Sequence, residues 1–232
     1  MSRGQVDVWR IGLMRSWHQV NAFHELLDSA ERSRAKMFRT ERDRRRFVVA
    51  RATLRGILAE YAGLEPHRVQ LTVREGGKPV LDSECLSGAL HFNLSHSGDL
   101  ALCAVADREV GVDLEQVKDH DDMQRVAQHF FSDVEARTME SLSGIARTHF
   151  FFRTWVRKEA YLKASGDGLA RDTSRFSVSE IGGRVTLHKS DGCNVDDLYK
   201  VYDLPDMDEH FAAVALAAVE SAPTIRYRIW QT

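Results

Sequence analysis

In Val110-Gly111-Val112-Asp113-Leu114-Glu115 the apolar residues alternate with Gly111, Asp113 and Glu115, so in a strand both carboxylates project from one face. Adjacent like charges repel. A divalent cation relieves that repulsion, and oxygen pairs of this kind suit magnesium, whose shell is completed by water and substrate phosphate. Taken alone, the segment reads as a solvated strand edge with two exposed acids. The helical run Phe152 to Lys163 changes the weighing, because Phe152, Val156, Glu159 and Lys163 share one stripe and set a carboxylate and an ammonium group in line with large apolar side chains. An i, i+4 surface ion pair accounts for Glu159 and Lys163 without any function. The chemical reading makes Glu159 a third metal ligand and Lys163 a point charge on a bound phosphate.

His91-Phe92-Asn93-Leu94-Ser95-His96-Ser97-Gly98 puts small hydroxyls and an imidazole where a strand ends in a turn, a place able to hold an anion. A Ser-His neighbour pair does not make a hydrolase, which needs spatial alignment and an orienting acid, and no Gly-x-Ser-x-Gly elbow occurs. Residues 31 to 55 hold ten Lys or Arg against three Asp or Glu. A solvated helix face or a nucleic-acid-binding helix has this composition too. No aromatic stacking motif or zinc site stands beside the patch, which favours a small polyanionic cofactor that needs only a few of these side chains.

The elements that must position these groups follow from periodicity. Val6 to Leu13 reads as a strand, Asp28 caps a short helix to about Phe38, and Thr40 caps a longer one that Gly63 ends. Strands are expected around Val69 to Val73, Leu90 to Leu94, Leu100 to Ala106 and Val110 to Glu115. A helical region from Val126 to Leu142, a helix from about Thr148 to Ala164, and strands at Phe176 to Ser179, Val185 to His188, Leu198 to Leu204 and Phe211 to Val219 complete the chain. Phe47, Ala52, Leu54 and Arg55 repeat the spacing of Trp155, Ala160, Leu162 and Lys163, a faint echo that suggests two α+β lobes divided near residues 115 to 122, with a ligand cleft between them.

At 232 residues, 43% hydrophobic and 28% charged with a net charge of -2, the chain has an ordinary globular composition and no global field to recruit nucleic acid or an anionic membrane. Cys85, Cys103 and Cys193 are odd in number and unpaired in spacing, so they are expected to be reduced. No secretory stretch or long apolar run occurs, and the expected location is cytoplasmic.

Together the ordered motifs Phe92-Asn93-Leu94-Ser95-His96-Ser97, Gly111-Val112-Asp113-Leu114-Glu115 and Trp155-x-x-Lys158-Glu159-Ala160-x-x-Lys163, followed by Gly166-x-Gly168-Leu169, resemble the 4'-phosphopantetheinyl transferase superfamily in its two-lobed Sfp-type class. Gly77-Lys78-Pro79 and Phe130-Phe131-Ser132 with Glu135 support the likeness. The resemblance implies an α+β fold of two similar α/β lobes, residues 1–117 for the nucleotide end of coenzyme A and 118–232 for the metal and catalytic helix, with the active site in the interlobe cleft. It implies Mg²⁺-dependent transfer of the phosphopantetheine arm of coenzyme A to a serine of an apo acyl or peptidyl carrier protein, releasing adenosine 3',5'-bisphosphate. By the same likeness Asp113, Glu115 and Glu159 bind the metal and Lys163 the pyrophosphate. Lys78, Ser95 and His96 contact the nucleotide end, Arg34 and Arg46 hold the 3'-phosphate, and Glu135 or Glu159 takes the serine proton. Glu31 stands where the family has a further lysine, for which Arg32 is a substitute. A monomer with no nucleic-acid or membrane partner is expected. The competing reading is a catalytically silent coenzyme A- or carrier-binding protein of the same fold.

Overall fold

The computed structural model describes residues 4–73, 77–82, 90–118, 122–166, 173–181, 184–189, 198–207, 209–219 and 222–231. Cys85, Cys193, Gly168, Leu169, the 119–121 part of the expected lobe connection and the Gly182-Gly183 turn lie outside them. The described chain is α+β, with six helices and several sheets.

Four layers carry the architecture. The first is the helix α3 (Glu41–Ala62), begun by Thr40, whose hydroxyl accepts the N–H of Asp43, and ended by Gly63 at φ +65°, a left-handed stop that favours glycine. Its apolar face packs on a four-stranded sheet ordered β11-β1-β5-β4, with β1 (Gln5–Gly12), β4 (His91–Ser97), β5 (Leu100–Ala106) and β11 (Thr224–Ile229). The other face of that sheet meets a three-stranded sheet, β6 (Val110–Gln116), β10 (His210–Ala217) and β9 (Tyr199–Asp203), around Val6, Val8, Leu102, Val112, Leu114 and Val214. The helix α6 (Gly144–Ser165) covers the far face of the second sheet.

The alternation in β6 now has a cause on both sides. Val110, Val112 and Leu114 fill the space between the sheets, while Gly111, Asp113 and Glu115 take the opposite face toward α6. Gly111 is what lets helix and strand approach: a Cβ there would lie 2.2 Å from the carbonyl oxygen of Ala160 and 2.3 Å from the nitrogen of Ala164.

Several expectations are revised in detail. The helical region after Val126 is two helices, α4 (Met123–Phe130) and α5 (Asp133–Ser141), because Ser132 caps α5 and Glu135 reaches back to its N–H at 2.8 Å. α6 starts earlier than the spacing indicates, at Gly144. A helix α1 (Trp17–Leu26) and the strand β11 were not legible. The expected α2 (Ser29–Lys36) is present with its capping box, as is the hairpin of β7 (Phe176–Ile181) with β8 (Arg184–Lys189), while β2 (Leu71–Val73) pairs with a strand that was not expected, β3 (Pro79–Leu81). The sheets interleave the chain: β6 joins β10 and β9, and β11, from the far end, runs parallel to β1. Among the described residues no helix is long and apolar enough to cross a membrane.

Candidate active site

The site forms where β4 and β6, each at the edge of its sheet, run side by side without a backbone ladder between them. Side chains supply the rungs. The N–H of Val112 donates to Asn93 Oδ1 at 2.9 Å, Ser95 Oγ donates to Asp113 Oδ1 at 2.9 Å, and Ser97 Oγ donates to Glu115 Oε2 at 2.8 Å while accepting the N–H of Gln116 at 3.0 Å. Asn93, Ser95 and Ser97 occupy every second position of β4, so one face of that strand holds the acids of β6 in register. Asn93 and Ser97 had no individual role in the sequence reading; the signal was their alternation opposite Asp113 and Glu115.

α6 brings the remaining groups. Lys163 Nζ lies 2.5 Å from Asp113 Oδ1 and 3.1 Å from Ser95 Oγ, so its partner is a carboxylate on β6 instead of Glu159 one turn away. Asp113 is buried, and its second oxygen, Oδ2, has no hydrogen-bond partner. Glu159 is half-buried, and its pKa is pushed up to about 6, first by lost hydration and then by the negative charge of Asp113, with Glu115 adding to it and Lys163 opposing. The carboxyl of Glu115 is raised by the same causes, lost hydration and then Asp113, against the bond from Ser97 and the charge of Lys163. Each of these acids therefore sits in the field of the others.

A cation fits this arrangement chemically: three oxygen-donor groups repel one another, and one buried carboxylate oxygen is unpartnered. Among the described residues no group of three His, Cys, Asp or Glu side chains is drawn together tightly enough to hold a metal as it stands. Magnesium does not require such a cage, since it is commonly held by one or two carboxylates, water and substrate phosphate.

His96, on the exposed side of β4, has a lowered pKa, through lost hydration first and then the positive charges of Lys163 and Arg46, with Asp43 opposing. Arg46, near the start of α3, bridges to Asp99 at 2.7 Å. Lys163 and Arg46 thus both lie within electrostatic reach of His96.

The three remaining candidates, and Glu31 where a lysine was missing, are held elsewhere. Lys78 Nζ donates to the carbonyls of Lys163 at 2.7 Å and Val110 at 3.1 Å and pairs with Glu109, tying the C-terminus of α6 to β6. Arg34 is exposed on α2, its guanidinium over the Phe38 ring. Glu31 is buried and paired with Arg51 at 2.8 Å and Arg55 at 2.7 Å, which fastens α2 to α3. Glu135 is buried too: its oxygens accept the N–H groups of Ser132 and Val178, and Lys158 Nζ lies 2.7 Å away. Lys158 in turn donates to the carbonyls of Thr173 and Phe176. Lys158 and Glu159 are neighbours in sequence, yet one serves the core under α5 and the other joins the acids of β6.

Residues 14–108 match the family described as 4'-phosphopantetheinyl transferase, N-terminal, and residues 109–215 match the 4'-phosphopantetheinyl transferase superfamily. The chain is 37% identical over 214 residues to the 4'-phosphopantetheinyl transferase HetI of Nostoc sp., covering 92% of this chain and 88% of the relative. It is 28% identical over 170 residues to the 4'-phosphopantetheinyl transferase Sfp of Bacillus subtilis, covering 73% of this chain and 74% of that one. A solved holo-(acyl-carrier-protein) synthase of Bacillus anthracis in complex with CoA is 19% identical with a TM-score of 0.40, covering 47% of this chain and 94% of that chain. With matches that run through both halves of the sequence and a full-length relative above a third identical, the chain belongs to the 4'-phosphopantetheinyl transferase superfamily, in its Sfp-type class.

Proposed function

We propose that this transferase takes its phosphopantetheine arm from coenzyme A and places it on a serine of an apo acyl or peptidyl carrier protein, with Asp113, Glu115 and Glu159 as the magnesium-binding acids. The observation that carries the reading is the acid group on β6 and α6 with Lys163 at its centre and Asp113 Oδ2 unpartnered. A silent coenzyme-binding relative has no need to keep three mutually repelling carboxylates beside a lysine.

The serine oxygen attacks the phosphorus that carries the pantetheine arm, and the bond from that phosphorus to the bridging oxygen breaks. Adenosine 3',5'-bisphosphate leaves with the bridging oxygen's electron pair. Magnesium, when bound, neutralises charge on the diphosphate. Lys163 stabilises the developing charge as a fixed cation and holds Asp113 in place through Ser95. Of the two glutamates left open by the sequence, Glu159 takes the serine proton in this proposal, because it stands among the acids of β6 beside Lys163, whereas both oxygens of Glu135 are committed to the start of α5 and to β7. His96 and Arg46 receive the 3'-phosphate, with Arg34 further out on α2. Ser95 and Lys78 act here as supports of Asp113 and of the α6 terminus, and Lys78 reaches the nucleotide only by leaving its carbonyls. In this reading residues 1–117 hold the nucleotide end, 118–232 supply the catalytic helix, the cleft lies between the two halves, and one chain is sufficient.

The test is to incubate the protein with apo carrier, coenzyme A and Mg²⁺ and read the added arm by intact mass. Transfer that stops with chelator and returns with Mg²⁺ supports the proposal; transfer unaffected by Asp113→Ala or Glu159→Ala overturns the three-acid site. Equal affinity for coenzyme A and dephospho-coenzyme A at low salt removes the 3'-phosphate contact of Arg46.

A further inference from the structure

β4 and β6 belong to different sheets, so no backbone ladder fixes the end of β4 that carries Ser97 against the end of β6 that carries Glu115. His210 supplies an anchor there. It is the first residue of β10, paired with Gln116 of β6, and its ring reaches past that strand to bring Nε2 within 3.2 Å of the carbonyl of Ser97, 113 residues away in sequence. A carbonyl only accepts, so Nε2 carries the hydrogen and donates.

The other ring nitrogen speaks against a role in packing alone. His210 is 9% exposed, and its Nδ1 is buried without a partner. A side chain that merely filled this space would do better as leucine or phenylalanine, because a buried polar atom left unpaired costs stability that an apolar group does not. What imidazole has and those side chains lack is the N–H on Ser97.

Two further contacts close the same corner. Gly98, at φ +60°, brings the turn between β4 and β5 so close that a Cβ there would lie 2.8 Å from Oε1 of Gln116 and 3.6 Å from Nε2 of His210. The N–H of Gln116 donates to Ser97 Oγ at 3.0 Å, and that hydroxyl donates to Glu115 Oε2 at 2.8 Å. Ser97 is therefore held at its carbonyl by His210 and itself holds Glu115. Asp113 has supports of its own in Ser95 and Lys163.

Resting on the transferase reading above, we propose that His210 is a positioning residue for the metal-binding acids: its Nε2–H fixes Ser97, and Ser97 presents Glu115 to magnesium already ordered. His210 acts through Ser97 and is not itself a ligand. A glutamate with free rotamers loses that freedom when the ion arrives, so cutting the anchor weakens magnesium binding and spares turnover once the ion is saturating.

Gln116 offers a reporter that needs neither metal nor turnover, since its amide hydrogen lies on Ser97 Oγ. In metal-free enzyme, His210→Phe is expected to speed hydrogen exchange at the Gln116 amide about tenfold and to leave the Val112 amide, which is bonded to Asn93, within about twofold. His210→Gln, whose amide can donate to the same carbonyl, should keep both near their original rates. Calorimetric titration of Mg²⁺ into the enzyme–coenzyme A complex should show affinity about tenfold weaker in His210→Phe and about twofold or less in His210→Gln, with kcat at saturating Mg²⁺ within about twofold in both. Once Ser97→Ala has removed the hydroxyl, His210→Phe should weaken Mg²⁺ binding no further. If the phenylalanine unfolds the chain, His210→Leu takes its place in each comparison. Unchanged Gln116 exchange in the apolar variant overturns the proposal, as do losses that add in the double variant or a glutamine variant no better than the apolar one. Faster Gln116 exchange with unaltered Mg²⁺ affinity in both His210→Phe and Glu115→Ala overturns Glu115 as a metal ligand and leaves His210 as the anchor of Ser97.

Discussion

Glu159, the proposed base, is held among like charges at a cost to stability. Its carboxyl is raised from 4.5 to about 6, so the native chain keeps a proton that the unfolded chain has lost. The native state binds more protons across that window, so metal-free stability declines as pH rises from about 4.5 to about 6, and the penalty stands in full above it. For a half-buried group its size is on the order of 1 kcal/mol. Glu159→Gln is therefore expected to raise the metal-free melting temperature at pH 7.5 by a few degrees, to leave it unchanged at pH 4, and to lose transfer. Melting curves at the two pH values check the first part and intact-mass turnover the second. Lys163→Met makes the opposite exchange: it strips the cation from the buried Asp113, so stability at pH 7.5 should fall by about 1–3 kcal/mol and single-turnover rate by more than coenzyme A affinity. Normal rates in this variant would return Lys163 to a purely structural pair.

At the scale of elements, the contact between α6 and β6 sets the spacing of the acids. Gly111→Ala puts a methyl group against the α6 backbone, where neither side can give without moving the helix. Denaturant unfolding is expected to show a loss of about 3 kcal/mol or more, and transfer should fall along with it because Glu159 and Lys163 retreat from β6. Glu135→Gln separates structure from catalysis. Removing one partner of the buried Lys158 pair should cost about 3–5 kcal/mol, while the folded fraction keeps normal kcat. A large kcat loss at unchanged stability would restore Glu135 as the base.

Across the whole molecule, β11 closes on β1. β11 lies parallel to β1, and Asp7, fully buried, takes Arg226 on both oxygens, Oδ1 at 2.7 Å and Oδ2 at 2.8 Å, while Oδ2 also faces Arg228 at 3.4 Å and accepts the hydroxyl of Tyr61. Burial raises the Asp7 carboxyl, but the bonds from Arg226 and Tyr61 outweigh it and the net pKa lies below the ordinary 3.8. A lowered carboxyl stabilises the fold above its unfolded value and loses that contribution as pH falls through the native one. Removing residues 222–232 strips this ionised group of both arginines and exposes the edge of β1. The truncated chain should unfold at lower urea than the full chain at pH 7, with the gap narrowing below pH 4; equal midpoints at pH 7 would show that β11 is dispensable.

Much of the site was legible because it depends on local periodicity. Alternation in a strand put Asp113 and Glu115 on one face, helical spacing aligned Glu159 with Lys163, and the caps at Asp28, Thr40, Gly63 and Gly166 marked helix ends through short-range hydrogen bonds and left-handed φ. The roles of Lys78, Glu31 and Glu135 were beyond that reach, because a buried charge is defined by partners that lie far away in sequence: 85 residues for Lys78 and Lys163, 43 for Glu135 and Val178. The strand β11 was hidden for a related reason, since its exposed and charged residues gain strand character only from pairing with β1 more than 200 residues earlier. The sequence determined which residues could do the chemistry; the packing of α6 on β6, and of β6 beside β4, decided which of them meet, because the distances between charges belong to the layers and not to the chain.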